Sequence, residues 1–362
     1  MFRKFNIKGF RLFKDFTIDD LKQVTLIGGK NNTGKTSLLE GLFLHCGQTN
    51  LEIITRENMW RGLLPFTVDR SDAARHFVGP SFHDYDLSTP IIIQSTDRTG
   101  NTRRSEIKAQ TKEIEVETII SGEHEIGSER PEGMQLKLAR IKYQDVGGDA
   151  SEHDLIVSVR GNNVGLQVVP PHRPLQFKAH FLHEGLGNDP ALDAKIYSSL
   201  RTEGTEKLVL DGLRAVDQSI TSVEVLNPAG ASAIWVNLES GKRMPLSLFG
   251  QGMSRLAHVL LIMIQASQGI VLIDEFGLGL HYSVLPDVWS VVSSAAKDFD
   301  VQVIATTHSF EVITSGHRSF KSLNRYDQFG YCRLEATRDG IQPINVDQNS
   351  LELSSEAGFE VR

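Results

Sequence analysis

The stretch Val24-Thr25-Leu26-Ile27-Gly28-Gly29-Lys30-Asn31-Asn32-Thr33-Gly34-Lys35-Thr36-Ser37-Leu38-Leu39-Glu40 decides the fold. It opens on a short apolar run of the strand type and closes on Leu38, Leu39, Leu42 and Phe43, which recur at the three- and four-residue spacing of a helix with one buried face. Between strand and helix, residues 29–36 satisfy G-x-x-x-x-G-K-[ST], in the context the phosphate-loop mechanism needs. Glycines at both ends let consecutive backbone N–H groups wrap the β- and γ-phosphates of a nucleotide. Lys35 adds a point charge, and Thr36 offers a hydroxyl to Mg2+. The candidate nucleotide contacts are therefore Gly29, Asn31, Asn32, Thr33, Gly34, Lys35, Thr36 and Ser37.

Two further apolar strands end in polar residues. Residues 270–273 run Ile-Val-Leu-Ile into Asp274 and Glu275, adjacent carboxylates for which a buried strand has no structural use. Side chains alternate along a strand, so Asp274 can serve the Mg2+ shell while Glu275 faces an attacking water as general base. Residues 301–305 lead into Thr306, Thr307, His308 and Ser309, where His308 can donate to a γ-phosphate. Strands apolar on both faces imply a buried parallel sheet, whose ligands bind at the carboxyl ends. Gly250, Gln251 and Gly252 precede an apolar helix expected over 253–264, whose N-terminus suits an anion.

Outward from these motifs, the composition is that of an ordinary globular chain. Its 362 residues are 40% hydrophobic and 23% charged, enough for one large or two modest domains at roughly 150 residues each. The formal charge of −7 supplies no global positive field for a nucleic acid, so any DNA contact is local. The 2 cysteines, Cys46 and Cys332, are far apart and lack metal-ligand spacing, which argues against zinc and for a reducing cytoplasm. No apolar run approaches the roughly 18 residues of a membrane span, and the N-terminus has no signal-peptide pattern.

Residues 90–169 change character, with β-type runs at 91–93, 114–120, 136–141 and 155–159 that read as an antiparallel insertion. Between Asp97 and Lys142, 9 basic residues face 9 acidic ones, so this lobe reads as solvated. Pro170, Pro171 and Pro174 end it, and helical periodicity follows at 191–200 and 206–216. No heptad tract is long enough for a coiled-coil arm. A helix is expected at 285–296 and β-like pieces at 329–334 and 341–346, while His83 and His153 read as loop residues.

In this order the motifs resemble ABC-type ATPase heads of the SMC, RecF and OLD-like group, especially small bacterial AAA15/AAA21-type ATP-binding proteins without a fused TOPRIM domain. The resemblance spans essentially the whole chain and rests on Phe5 to Phe13 before the loop, residues 31–40, Asp274-Glu275-Phe276, Gly279-Leu280-His281 and residues 305–309. It implies an α/β P-loop NTPase of ABC-ATPase head type: a mixed sheet with an antiparallel β-lobe, a short helical lobe and no coiled-coil arm. The parts would be 1–180 (head with β-insertion), 181–265 (helical lobe ending in the signature-like motif) and 266–362 (Walker B, D-loop and switch histidine).

The resemblance further implies that ATP with Mg2+ is sandwiched in a homodimer. Lys35, Glu275 and His308 would be catalytic, Thr36 and Asp274 would hold the metal, Gly250, Gln251 and Gly252 would face the partner's γ-phosphate, and His281 would line the seam. The usual Ser-Gly-Gly core reads Gly250-Gln251-Gly252 here, so a serine hydroxyl would have to come from Ser247 or Ser254. The joint at 179–184 lacks the glutamine relatives place there, with Gln48 and Gln94 as alternatives. Arg11 and Phe13 are the residues available for adenine.

Three outputs stand open: slow ATP hydrolysis controlling a separately encoded effector or nuclease in bacterial antiphage defence or a toxin-type system; a RecF-like DNA-repair clamp, with Arg98, Arg103 and Arg104 as a small basic patch; or an ATP-binding regulatory scaffold with little turnover. No membrane contact is expected.

Overall fold

The chain opens with β1 (Phe2–Phe10) and β2 (Phe13–Ile18), antiparallel neighbours joined through Arg11, which takes a φ of +47° in the turn. The loop-bearing strand β3 (Val24–Gly29) follows, then α1 (Lys35–Cys46), α2 (Glu52–Trp60) and the short α3 (Ala73–Phe77). Five strands come next: β4 (Ile91–Asp97), β5 (Thr102–Glu113), β6 (Met134–Gln144), β7 (Ala150–Arg160) and β8 (Asn163–Val169). The middle of the chain holds β9 (Ala179–Leu182), α4 (Pro190–Glu203), α5 (Lys207–Val216) and the small strands β10 (Ile220–Leu226), β11 (Ala233–Leu238) and β12 (Arg243–Pro245). The last part alternates α6 (Gln251–Gln265), β13 (Ile270–Ile273), α7 (Leu285–Asp298), β14 (Gln302–Thr306) and α8 (Phe310–Ser322), and ends with β15 (Phe329–Thr337), β16 (Gly340–Val346) and α9 (Gln348–Ala357). This computed structural model describes residues 1–63, 73–113, 134–160, 163–172, 178–183 and 189–357.

The core sheet has 6 strands in the order β16-β15-β3-β14-β13-β9, all parallel except β16 at one edge. Its inner strands β3, β14 and β13 are buried on both faces because both are covered. Leu26, Val271, Ile273, Val303 and Ala305 point into one hydrophobic cluster with α4 to α8, while Ile27, Ile270, Leu272 and Ile304 point into another with α1 to α3. Parallel strands end on one side, so the residues following β3, β13 and β14 gather at a single carboxyl edge. That alignment builds the site.

A second sheet of 7 antiparallel strands, in the order β2-β1-β4-β5-β6-β7-β8, packs over the far side of α1. The expected insertion is thus continuous with the chain's first two strands, which pair with β4 through β1. The strand expected at 114–120 lies outside the described residues. Helix α1 also departs from its one-faced expectation: Ser37, Glu40, Leu44 and Cys46 are buried along with Leu38, Leu39 and Leu42, since the helix lies between two sheets. His153, expected in a loop, is buried in β7 and bonds through Nδ1 to the Pro170 carbonyl at 2.8 Å.

The expected helices at 191–200, 206–216, 253–264 and 285–296 correspond to α4, α5, α6 and α7. The helical lobe carries an unexpected antiparallel sheet, β10-β11-β12. A boundary at 180/181 falls inside β9, because that strand pairs with β13 and belongs to the core sheet. Among the described residues the longest helix, α6, has 15 residues, and no helix is long and apolar enough to cross a membrane.

His45 joins α1 to the second sheet, with Nε2 2.8 Å from Ser95 Oγ and Nδ1 3.3 Å from Ser105 Oγ. Burial first, and Arg103 second, push its pKa down to about 3. The folded state therefore holds the ring neutral, and its contribution to stability is present above the ordinary histidine range and lost progressively as pH falls from there toward about 3. Thermal melts should show stability falling by about 1 kcal/mol from this group between about pH 7.5 and pH 5.5, given an ordinary pKa of about 6.5. His45→Gln should flatten that dependence; an unchanged slope would remove His45 as its source.

Candidate nucleotide site

The loop after β3 is turned inward by positive φ angles at Gly29 (+133°), Asn32 (+63°) and Gly34 (+87°). Such turns point successive N–H groups into one concavity. Gly34 caps α1 without a side-chain bond, so the first-turn amides are offered to an anion. Lys35 folds over the loop, donating from Nζ to the Gly29 carbonyl (2.9 Å) and the Lys30 carbonyl (3.1 Å). Burial lowers its pKa, opposed by the carboxylates of Glu275 and Asp274. Thr33 closes the loop through Oγ1 to the Lys30 carbonyl at 2.8 Å, while Asn31 and Asn32 stay exposed. Gly28 has no room for a side chain: a Cβ there would lie 2.1 Å from Tyr331 Oη on β15.

Asp274, 3% exposed, is shared by two hydroxyls. Thr36 Oγ1 lies 3.2 Å from each of its carboxylate oxygens, and Thr306 Oγ1 donates to Oδ1 at 2.7 Å. Thr306 also accepts the Glu275 backbone N–H at 2.9 Å. Glu275 itself takes a φ of +53° and carries its carboxylate to His308, whose Nδ1 is 2.7 Å from Oε2. The Glu275 side chain is 14% exposed and that of His308 59%. Lys35, Thr36, Asp274, Glu275 and His308 are thus brought together. Among the described residues no three His, Cys, Asp or Glu side chains converge as a metal cage. Thr36 and Asp274 instead form the hard oxygen pair that fits Mg2+ held mostly by phosphates and water.

Gly250, Gln251, Gly252 and His281 form a separate group. Gly250 has a φ of +91° at the start of α6, and Gly252 is pressed on the D-loop-like turn, where a Cβ would come 2.2 Å from the Gly279 carbonyl oxygen. His281 Nδ1 lies 2.8 Å from Ser283 Oγ, and its ring lies 4.3 Å from that of Tyr282. Ser254 Oγ points back to the Leu246 and Gly250 carbonyls, both at 3.4 Å, whereas Ser247 is exposed.

Two residues without an assigned role in the sequence reading hold the site. Thr306 stood within a quoted motif. Arg255 stood beside the signature-like glycines, and its guanidinium reaches the carbonyls of Asp274 (2.5 Å) and Glu275 (3.3 Å).

Arg11 is unsuited to adenine because its guanidinium is spent inside: its side chain is 6% exposed, 2.8 Å from Glu40 and 3.7 Å from Glu57. Burial and then Glu40 push the Glu57 carboxyl upward, against Arg11 and Arg61. Phe13 is a core residue beneath Gly34. At the joint, Asp274 N donates to the Leu182 carbonyl at 2.9 Å, which places His183 one residue beyond. Gln48 is buried just past α1, and Gln94 pairs with Asn6 and Arg104 in the outer sheet. Arg98 lies in the β4–β5 turn, while Arg103 and Arg104 are ion-paired with Asp145 (3.2 Å) and Glu106 (3.4 Å).

Residues 1–126 match the family model described as AAA ATPase domain, and residues 136–314 match that described as AAA domain, putative AbiEii toxin, Type IV TA system. An ATP/GTP phosphatase of Helicobacter pylori is 21% identical over 340 residues, covering 86% of each protein. The solved Smc head bound to the C-winged helix domain of ScpA aligns over 98% of this chain and 99% of its own, at 11% identity and a TM-score of 0.48. The SMC head domain from Thermotoga maritima aligns over 96% and 99%, at 11% identity and a TM-score of 0.41.

The close approach at Gly252 makes a direct prediction. Gly252→Ala should destabilise the chain by about 1–3 kcal/mol, the ordinary cost of overpacking against backbone. Urea melts read this as a lower midpoint at unchanged slope; a midpoint equal to the parent's would show that α6 and the 277–280 turn are free to separate.

Proposed function

We propose that the chain is an ABC-type ATPase of the SMC and RecF-like group that binds ATP with Mg2+ between two copies of itself, hydrolyses it slowly, and thereby controls a separately encoded effector in a defence or toxin-type system, a reading supported by the AAA family models matched at 1–126 and 136–314. The observation that carries this is the convergence of Thr36, Asp274, Thr306, Glu275 and His308 beside the lysine of the phosphate loop.

Bound Mg2+ would neutralise phosphate charge beside Thr36 and Asp274. Glu275 orients a water and takes its proton as the water oxygen bonds to the γ-phosphorus and the bridging bond to ADP breaks. Lys35 steadies the negative charge on the transferred group. His308 holds Glu275 through Nδ1 and, when protonated on both nitrogens, can also donate to a phosphate oxygen through Nε2.

Dimerisation is supported by the face carrying Gly250 to Gly252 and Gly279 to His281, where Leu248, Leu278 and Tyr282 are 67%, 42% and 66% exposed. Exposed apolar side chains gathered at glycine-rich turns suit a protein partner, here a second copy supplying the other half of each site. The AbiEii description of the model matched by residues 136–314 supports the toxin-type setting.

A DNA-binding output has one observation in its favour, adjoining troughs of about 460 and 390 Å3 across the outer sheet, which share Arg104. Their cations are largely matched within the sheet, as in Lys8–Asp15 (2.7 Å), Lys108–Glu106 (2.9 Å) and Arg140–Asp154 (2.7 Å). Duplex binding that weakens steeply with salt would favour this output.

Glu275→Gln should keep ATP binding and lose roughly 10²–10⁴-fold in turnover, the range for a general base. In light scattering after size exclusion, that variant should run as a dimer with ATP and Mg2+ and as a monomer without them; monomers in both conditions would sink the dimer. By calorimetry, Lys35→Ala should lose nucleotide binding itself.

A further inference from the structure

Strand β13 ends at Ile273, and beyond it Asp274 N–H still reaches the Leu182 carbonyl at 2.9 Å and Phe276 N–H the Thr306 carbonyl at 2.7 Å while the chain turns away. The Glu275 carbonyl accepts from the Leu278 N–H at 3.2 Å, and the Asp274 carbonyl turns toward α6. Glu275 stands in the left-handed region at φ +53°, a conformation that a long side chain keeps only when its surroundings impose it. Thr306 takes its N–H at 2.9 Å. The opposite side is held by Arg255 Nη2, bonded to the Asp274 carbonyl at 2.5 Å and the Glu275 carbonyl at 3.3 Å. Between them these two side chains grip both ends of Glu275.

We propose that Arg255 is the positioning residue of Glu275: its guanidinium fixes the 274–275 peptides so that the carboxylate is aimed at the reacting water. The proposal rests on the reading of Glu275 as the base. Arg255 also sits on α6, the helix capped by Gly250, and Gly252 on that helix is packed against Gly279. Movement of the signature-like turn is therefore carried to the base through a planar group with several rigidly placed donors. Lysine offers only a point charge on a flexible stem in the same place.

The test uses the full chain with Arg255→Ala and Arg255→Lys. ATP affinity should stay near the parental value in both, because neither touches the phosphate loop. The kcat of Arg255→Ala should fall about tenfold to a hundredfold, as when a group that orients a first-contact residue is removed, and Arg255→Lys should lie between that variant and the parent. Millimolar guanidinium should restore turnover to the alanine variant.

Independently of turnover, hydrogen exchange at residues 274–280 should accelerate in Arg255→Ala while exchange over β3 and β14 stays parental. Parental kcat together with parental exchange at 274–280 would overturn the proposal. So would a kcat loss that guanidinium leaves untouched, accompanied by a general rise in exchange, since Arg255 would then serve only the fold. A parent that binds ATP but keeps its full kcat as Glu275→Gln would defeat the reading of the base instead, and the exchange result would still decide what Arg255 holds.

Discussion

Asp274 accepts from one threonine behind it and lies beside another in front, and the geometry of the site depends on that shared carboxylate. Thr306 arrives from the end of β14 and Thr36 from the first turn of α1, so a single buried charge ties together three consecutive parts of the carboxyl edge. A buried carboxylate is costly unless its lone pairs are engaged. Two hydroxyls answer that need while remaining oxygen atoms, so the same arrangement that tolerates the charge presents hard donors in one place. Parallel strand order makes it possible, because β3, β14 and β13 are neighbours that end on the same side.

The parts of this site that were legible in the sequence are those whose chemistry is local. The loop at 29–36, the Asp274-Glu275 pair and the Thr306 to His308 cluster each announce themselves as polar residues at the end of an apolar run. Their meeting follows from the parallel sheet that such runs imply. The contacts of Arg255 and of the ion-paired cluster of Arg11, Glu40, Glu57 and Arg61 were not legible, since they join residues that local sequence does not bring together. The same holds for the outer sheet. That β1 and β2 extend the strands of residues 91–169 is a matter of long-range register, and periodicity along one segment is silent about its neighbour. Helix α1 looked amphipathic from its leucines, yet its polar residues are also covered, because a second sheet lies over it.

The candidate residues fall into two groups within the chain. One surrounds the phosphate loop; the other, from Gly250 to Gly252 and Gly279 to His281, lies on an exposed face with apolar side chains around it. Arg255 belongs to the helix of the second group and bonds to the backbone of the first. In the proposed dimer, each group would meet the other group of a second copy.

The base of the loop has its own dependency. The Tyr331 hydroxyl fills the space that a side chain at position 28 would need, and β15, which carries it, lies alongside β3. Drift at either position is therefore conditional on the other: a bulkier residue at 28 becomes admissible only in lineages where 331 has already shrunk, and the two should covary although almost the whole chain separates them.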